Sequence, residues 1–320
     1  MTTRALVTGG NGFVAQWAMR AMLHRGWRVT AAGVGPRPTS AVLTEDEHAA
    51  VDWQSMDVTS QADVAAVVER SAPHVVLHLA AISHVMDALS DPGRAYEVNT
   101  VGTVRLLAEV QRLRVAGTAD PVVLVVGSAE QYGRHASTEM PLVEESEQCP
   151  LTLYAASKVA QEVAARQAFR SDGVRVVCTR SFNHSGVGHS AHFLLPALVA
   201  RAGALPKSGG ALFIGNGDTV RDYLHVEDVV EAYLALLDRG VVGAAYNVCS
   251  GEGTSVRELA TAVLQRLGVS ADIRTDAALT RPVDVPVLVG SNSKLRRATD
   301  WAPRRSRDDI IDDLIHAATR

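Results

Sequence analysis

Residues 4–15 have the sequence RALVTGGNGFVA, and this stretch decides the fold of the N-terminal half. Its apolar start predicts a buried strand over Arg4–Val7, and a helical pattern follows over Phe13–Arg25. Between them, Gly10-x-Gly12-x-x-Ala15 has the spacing of a dinucleotide-binding turn, whose glycines allow a tight bend and a close approach of backbone N–H groups to a pyrophosphate. The helix N-terminus adds a partial positive charge. The expected cofactor-binding residues are Gly9, Gly10, Asn11, Gly12, Phe13 and Val14.

Outward from this turn, short apolar runs alternate with longer helical patterns through the first half of the chain. Runs this apolar are typical of parallel strands that helices cover on both faces. The predicted strands are Arg4–Val7, Arg28–Ala32, Val75–Leu79, Val122–Val126 and Val174–Thr179. The predicted helices are Phe13–Arg25, Gln61–Arg70, Ala95–Val115 and Tyr154–Arg170. This alternation predicts an α/β fold with a doubly wound parallel sheet, the Rossmann arrangement.

The composition of the chain changes after Arg180, where Gly, Ser and His crowd residues 183–192. Helical patterns resume at Val226–Arg239, Ser255–Leu267 and Asp308–Thr319. We expect residues 1–180 to form the dinucleotide-binding domain, with part of residues 220–250 returning to it. Residues 181–320 are expected to form mainly a smaller C-terminal α/β domain that binds the substrate.

Composition and charge exclude several classes of protein. The 320 residues are 47% hydrophobic and 21% charged, which provides enough apolar surface for a core and excludes intrinsic disorder. Thirty-one basic and 35 acidic residues give a net charge of −4, so we expect no nucleic-acid partner. No apolar run approaches the roughly 20 residues that span a bilayer, so we expect no membrane association.

The cysteines and the N-terminal residues indicate a compartment. Cys149, Cys178 and Cys249 are scattered, without the spacing of a disulfide scaffold or a zinc site. The first residues pass directly into a strand pattern, with no room for a signal peptide. We therefore expect a cytoplasmic protein that has no metal site.

The end of the second predicted strand bears on the choice between NAD and NADP. An acidic residue there would hydrogen-bond the ribose hydroxyls of NAD. This chain has Gly33-Val34-Gly35-Pro36-Arg37 instead, and Arg37 can reach a 2′-phosphate or be a solvated surface arginine. The pattern favours NADP(H) over NAD(H).

A serine, a tyrosine and a lysine form the candidate catalytic group. Tyr154 and Lys158 share one face of a predicted helix, four residues apart. An ammonium beside a phenol lowers the pKa of the phenol, so that the pair can act as a general acid or base on an alcohol or ketone. Ser128 follows the strand Val122–Val126, at the edge where a doubly wound sheet opens its ligand crevice, and can bond the same substrate oxygen.

With these residues in place, the chain resembles the extended short-chain dehydrogenase/reductase family over nearly its whole length. The matching motifs, in order, are TGGNGFVA, Asp57-Val58, HLAA at 78–81, VNTVGT around Asn99, GSAEQYG and YAASK. The resemblance implies that Ser128 and Tyr154 lie at the reacting carbon. It also implies cofactor contacts from Asp57, Val58, Leu79, Ala80, Ala81, Asn99, Tyr154 and Lys158.

The second half of the chain resembles the nucleotide-sugar branch of this family. RSFNHSGVG at 180–188 is similar to the RPFNHxGPGQ segment of enzymes that act on GDP-hexoses, with Ser181 in place of the usual proline and His189 where a glutamine is common. This resemblance implies that Asn183 and Ser83 bind the substrate. Arg221 and Arg281 would clamp its diphosphate, since guanidinium groups match phosphate oxygens.

The resemblance implies NAD(P)H-dependent reduction of the C4 ketone of a nucleotide-linked 4-keto-6-deoxyhexose, with GDP-4-keto-6-deoxy-D-mannose as the expected substrate. The alternative is a GDP-mannose 4,6-dehydratase or a nucleotide-sugar epimerase that recycles its cofactor internally. Glu130 bears on this choice, because dehydratases of the family have an acid just beyond the Ser or Thr. Apolar residues beyond one face of Ala95–Val115 and Tyr154–Arg170 agree with the homodimer that the family forms.

Overall fold

A seven-stranded parallel sheet forms the centre of the molecule, in a computed structural model that describes residues 2–207, 209–280 and 285–319. In spatial order its strands are β3 (Asp52–Ser55), β2 (Arg28–Gly33), β1 (Arg4–Thr8), β4 (Val75–His78), β5 (Val122–Ser128), β6 (Arg175–Ser181) and β10 (Ala245–Val248). The strand order reverses between β1 and β4, where the chain begins to wind in the opposite direction. The predicted α/β fold with a doubly wound parallel sheet is therefore confirmed.

Helices cover both faces of this sheet. One face carries α1 (Phe13–His24), α9 (Val226–Arg239) and α11 (Ser293–Thr299), and the other carries α3 (Gln61–Ser71), α6 (Gly102–Val115) and α7 (Leu153–Asp172). The shorter helices of this half are α2 (Glu45–Ala50), α4 (Val85–Ser90) and α5 (Pro92–Tyr96). Each face buries its own cluster of aliphatic side chains against the sheet, which is why strands β1, β4 and β5 are apolar on both sides.

The helix predicted at Ala95–Val115 is interrupted in the structure. A π-helical turn, Glu97–Val101, separates α5 from α6. Within this turn the side chain of Asn99 accepts a hydrogen bond from the Ile82 N–H (2.8 Å) and donates to the Ser157 hydroxyl (2.9 Å). These contacts hold the start of α7 against the segment that follows β4, and no local pattern in the sequence indicates them.

The remaining elements form a smaller group at the carboxyl edge of the sheet. Their strands are β7 (Asn183–Ser185), β8 (Ala211–Ile214), β9 (Val220–His225), β11 (Gly253–Ser255), β12 (Asp272–Thr275) and β13 (Val287–Leu288). Their helices are α8 (Leu194–Gly203), α10 (Val256–Leu267) and α12 (Arg307–Ala318). These helices pack around a separate core that includes Leu198, Leu259 and Ile310. Among the described residues, no helix combines the length and the apolar character that crossing a membrane requires.

Candidate active site

A cavity of about 760 Å³ lies outside the carboxyl ends of the central strands. It extends from the glycine turn after β1, past the ends of β5 and β6, to β9 in the smaller group of elements. Ligands of doubly wound sheets bind in this crevice, where the strand order reverses. Its volume is within the range of sites for cofactors and small molecules.

The glycine turn brings the backbone unusually close to the end of β4. Gly9 has φ +67°, and a Cβ at this position would lie 2.8 Å from the Ala80 nitrogen. The tight turn is therefore made by Gly9, one residue before the first glycine of the predicted pattern, because only Gly9 combines a positive φ with this approach to the neighbouring strand. Gly12 is the N-cap residue of α1, and Asn11 bonds the carbonyl of Val34 (2.9 Å).

Gly9→Ala is expected to weaken the binding of NADPH at least about 10-fold, since the methyl group would displace the backbone of Ala80 between the cavity-lining residues Leu79 and Ala81, and the positive φ costs an L-residue about 1 kcal/mol. Gly26→Ala is the matched control, because Gly26 has φ +72° but no atom within 4 Å of the added methyl group. A fluorescence titration with NADPH distinguishes the two variants. Equal affinities for Gly9→Ala and Gly26→Ala would contradict the assigned role of the turn.

Ser128 and Tyr154 meet at the cavity. Ser128 ends β5, and its hydroxyl accepts a hydrogen bond from the Glu130 N–H (3.2 Å) at the start of a short 3₁₀ turn. Tyr154 lies in the first turn of α7, which Thr152 caps by accepting from the Ala155 N–H (3.1 Å). Both side chains line the cavity, and Ser128 is close enough to Tyr154 to lower the pKa of the phenol. Two hydroxyls thus converge on one point of the cavity wall, where a single substrate oxygen can contact both.

Burial determines the protonation states of Tyr154 and Lys158. It raises the pKa of Tyr154 to about 12, although the hydrogen bond to Ser128 opposes the shift. Burial also lowers the pKa of Lys158 to about 7, while its ammonium donates to the carbonyl of Val126 (2.7 Å). Burial therefore dominates the pKa of the phenol in the free protein, and the lowering of this pKa by Lys158 stays a prediction. A phenol that keeps its proton is suited to donate it.

Lys158 is expected to make stability depend on pH between about 7 and 10.5. Its pKa is lower in the folded state than its ordinary value of 10.5, so within this window the unfolded chain binds the extra proton. The free energy of unfolding therefore rises with pH, by about 1 kcal/mol per pH unit, and the contribution is constant below pH 7. Urea unfolding of wild type and Lys158→Met at pH 7, 8 and 9 measures this: the variant should gain most over wild type at pH 7. A difference that is independent of pH would show that Lys158 is not desolvated.

A chain of buried hydrogen bonds supports the cavity wall from behind. The Thr8 hydroxyl accepts from the Ala80 N–H (3.2 Å) and lies 2.7 Å from His78 Nδ1. His78 Nε2 lies 2.8 Å from the Thr103 hydroxyl, which donates its proton to the Asn99 carbonyl (2.7 Å). His78 therefore donates from Nε2 and accepts at Nδ1. Burial lowers the pKa of His78 to about 3, so it is a neutral connection between the glycine turn and the helices behind it.

Some of the residues expected at the cofactor line the cavity and others do not, and Gly10, Ala80 and Asn99 are among those that do not. Leu79 and Ala81 line the cavity together with Gly9, Asn11, Gly12, Phe13 and Val14. Asp57 accepts from the Arg94 guanidinium (3.1 Å), and Val58 packs against Gly102, both outside the cavity wall. Arg37 is exposed: it lies over the ring of Trp53 (5.4 Å) and donates to the carbonyl of His48. The structure therefore does not bring Arg37 into the cavity.

Of the residues expected to bind the substrate, Ser83, Asn183 and Arg221 line the cavity, and so does Glu130, the candidate catalytic acid. Arg221 is buried on β9 and donates to the carbonyl of Val285 (2.6 Å). The proposed partner of Arg221 in clamping a diphosphate, Arg281, lies outside the described residues.

Three stacked rings cross one side of the cavity, and of these only Phe13 was expected from the sequence to contact a ligand. The rings of Phe13 and His189 have centroids 4.5 Å apart, and those of His189 and Phe193 4.2 Å apart. Burial lowers the pKa of His189 to about 3, so the imidazole stacks as a neutral ring. The stack joins the start of α1 to the residue before α8. The departure from glutamine at position 189 was the one signal in the sequence that could have indicated it.

The fold and the site together define an NAD(P)-dependent oxidoreductase of the extended short-chain dehydrogenase/reductase class. Residues 6–314 match the family model described as GDP-mannose 4,6 dehydratase. The chain belongs to this family.

Comparison with individual proteins agrees with this assignment. The chain is 34% identical to GDP-6-deoxy-D-mannose reductase of Pseudomonas aeruginosa, over 95% of this chain and 93% of that protein. It is 30% identical to GDP-6-deoxy-D-talose 4-dehydrogenase of Aggregatibacter actinomycetemcomitans, over 91% of this chain and 90% of that protein. A solved structure, RMD from Pseudomonas aeruginosa complexed with NADPH, superposes with a TM-score of 0.82 at 28% identity and covers 100% of both chains.

Proposed function

We propose that the protein reduces the C4 ketone of a GDP-linked 4-keto-6-deoxyhexose, with GDP-4-keto-6-deoxy-D-mannose as the substrate. The single observation that carries the proposal is the convergence of Ser128 and Tyr154 hydroxyls, with Lys158 behind them, in the same cavity as the glycine turn. The 34% identity to GDP-6-deoxy-D-mannose reductase over 95% of the chain supports the choice of sugar and nucleotide.

The residues of the cavity fit a nicotinamide dinucleotide. The N–H groups of Gly10 and Gly12 donate to the carbonyls of Ala32 and Gly9, so a diphosphate would instead meet the first turn of α1, at the positive end of that helix. When bound, the reduced nicotinamide supplies a hydride. Gly9, Asn11, Gly12, Leu79 and Ala81 would form the walls around the cofactor, and Lys158 would hydrogen-bond its ribose.

The chain's own residues would then carry the proton. Tyr154 donates its phenolic proton to the C4 oxygen as negative charge develops there, and the Ser128 hydroxyl hydrogen-bonds the same oxygen and polarises the ketone. Lys158 places positive charge beneath the phenolate that results. Asn183 would bond the sugar, and Arg221 would bind the diphosphate.

The experiment that tests this function is a stoichiometry measurement with GDP-4-keto-6-deoxy-D-mannose. We expect one NADPH to be oxidised for each GDP-6-deoxyhexose formed, followed by absorbance at 340 nm and by chromatography of the product. Conversion of the sugar without consumption of NADPH would overturn the reductase, as would oxidation of NADPH that does not respond to the keto sugar.

Glu130 supports a second candidate, a dehydratase or epimerase that recycles its cofactor. Its side chain lines the cavity, and its charge raises the pKa of Tyr154, so it is close to the reacting group. Such a carboxyl group can protonate a departing hydroxyl. GDP-mannose would then be converted in the presence of catalytic NADP⁺, and Glu130→Gln would abolish that conversion. For the reductase, the same variant should retain measurable NADPH oxidation.

We propose that NADP(H) is the preferred cofactor. No acidic residue follows β2 in Gly33-Val34-Gly35-Pro36-Arg37, so a 2′-phosphate would meet no carboxylate from this loop. The similar structure from Pseudomonas aeruginosa was solved with NADPH. Titration with NADP⁺ and NAD⁺ should give the lower Kd for NADP⁺. A lower Kd for NAD⁺ would contradict the preference.

We propose that residues 1–180, with residues 220–250 in part, bind the cofactor and that residues 181–320 mainly bind the sugar nucleotide. The glycine turn, Ser128 and Tyr154 come from the first part, whereas Asn183 and Arg221 come from the second.

We also propose that the enzyme acts in the cytoplasm. Cys149, Cys178 and Cys249 are free thiols, which is typical of proteins in that reducing compartment.

We propose a homodimer that forms through α6 and α7. Apolar side chains remain exposed on these helices, including Val104 at 45% and Val163 at 62% of their surface. Pairing these helices with those of a second copy would bury them. Light scattering at micromolar concentration should give twice the mass of 34.0 kDa, and a monomeric mass would overturn the proposal.

A further inference from the structure

A second serine–tyrosine pair lies in the cavity, and the proposed reaction does not use it. Ser181 ends β6, and its Oγ lies 2.7 Å from the hydroxyl of Tyr233 on α9. The Thr179 Oγ lies 3.2 Å from the Ser181 Oγ. Ser181 and Tyr233 both line the cavity and are both buried, although 52 residues separate them in the sequence.

This pair is placed beside the first one. Ser181 is the register partner of Ser128 on neighbouring parallel strands, which run about 4.8 Å apart. Tyr154 reaches the cavity from α7 on one face of the sheet, and Tyr233 reaches it from α9 on the other. Tyr154 and Tyr233 both line the cavity. The end of the cavity nearest Tyr154 is therefore bounded by two hydroxyl pairs.

The chemistry of the pair selects an uncharged polar ligand. Burial raises the pKa of Tyr233 far above neutrality, so the pair consists of two neutral hydroxyls. Each hydroxyl can donate once and accept twice, so a pair that shares one hydrogen bond retains both a donor and acceptor sites. A primary carboxamide, with one carbonyl oxygen and one NH₂ group, complements such a pair. A phosphate or carboxylate would gain no charge compensation from it.

We propose that Ser181 and Tyr233 bind the carboxamide of the nicotinamide and so fix which face of the ring is turned towards the substrate. The inference rests on the proposed function, because a nicotinamide ring that reacts beside Tyr154 would lie in the part of the cavity that Ser181 and Tyr233 also line. The two residues are positioning residues. Proline, the usual residue of similar segments at position 181, has no hydroxyl to contribute.

The test compares two ligands that differ only in the nicotinamide. NADP⁺ carries the ring, and 2′-phospho-ADP-ribose lacks it but keeps the adenosine, phosphates and both riboses. Calorimetric titration of Ser181→Ala and of Tyr233→Phe should show NADP⁺ binding weakened by about 5- to 10-fold and 2′-phospho-ADP-ribose binding unchanged within twofold. Thr179→Val is the matched control: it removes the neighbouring buried hydroxyl and should leave both affinities unchanged within twofold.

The outcomes distinguish this inference from the proposed function. Equal losses of affinity for both ligands would show that the pair has a structural role, and an unchanged affinity for NADP⁺ would show that the pair does not contact the nicotinamide. Either result overturns the inference. The stoichiometry of NADPH oxidation would still test the reductase separately. Failure of the wild type to bind either ligand would overturn both. A thermal melt of each variant verifies the fold, and Ser181→Thr, which restores a hydroxyl, should recover the affinity for NADP⁺.

Discussion

Replacement of Tyr154 by phenylalanine is expected to lower kcat by about 10²- to 10⁴-fold, the range that a positioned proton donor contributes. The phenol is buried, with 8% of the residue's surface exposed, so water cannot readily replace it as the donor. The ring remains in Phe, so the cavity wall keeps its shape. The loss should therefore appear in kcat, measured by NADPH oxidation with saturating keto sugar, and the Kd for NADPH should change by less than about threefold.

Tyr246→Phe is the control for the loss of a buried phenol. Tyr246 is buried, and its hydroxyl accepts a hydrogen bond from the Val241 N–H (3.0 Å), away from the residues that line the cavity. The kcat of the Tyr246→Phe variant should stay within about twofold of the wild-type value. A Tyr154→Phe variant with nearly normal kcat would refute the assignment of the proton donor, and so would equal losses in the two variants.

The largest expected effect on stability comes from Arg180→Met. Arg180 and Glu162 form a two-point ion pair between β6 and α7, with N–O distances of 2.9 and 2.8 Å and only 3% and 4% of their side chains exposed. Arg180→Met leaves the buried Glu162 carboxylate with only the partly exposed Arg166 as a nearby cation among the described residues, and breaking a buried pair in this way costs about 3–5 kcal/mol. We expect the free energy of unfolding in urea to fall by this amount.

Two further variants test the physical reason. Arg166→Met removes a guanidinium that lies 3.7 Å from the same carboxylate but has 39% of its side chain exposed, so its loss should cost less than about 1 kcal/mol. The double variant Arg180→Met/Glu162→Leu removes both charges and should be more stable than Arg180→Met alone. A double variant as unstable as the single one would mean that lost packing, rather than the unpaired charge, causes the effect.

Arg180 also connects stability to the candidate site. Glu162 accepts a hydrogen bond from Gln131 Nε2 (2.8 Å), and the amide oxygen of Gln131 accepts from the Ser128 N–H (2.8 Å). The ion pair thus braces the turn that presents the Ser128 hydroxyl. The sequence analysis assigned Arg180 no function, because nothing local in the sequence around it indicates a partner 18 residues earlier on another element.

Local patterns predicted the parts of the fold that depend on near neighbours. The apolar runs of β1, β4 and β5 and the helical spacing of Tyr154 and Lys158 are properties of a few consecutive residues, and the structure has these elements with ends shifted by one or two residues. Strand β3, with the sequence Asp-Trp-Gln-Ser, was not predicted because it lies at an edge and lacks the apolar run of a buried strand.

The class of fold, the glycine-rich segment and the candidate serine, tyrosine and lysine could be predicted from the sequence, since each depends on short-range periodicity and spacing. Only the tertiary structure decided that Gly9 rather than Gly10 meets Ala80, that His189 stacks between Phe13 and Phe193, and that Ser181 meets Tyr233. These contacts join residues far apart in the chain. The packing of helices on the two faces of the sheet fixes them, and local conformational preference does not.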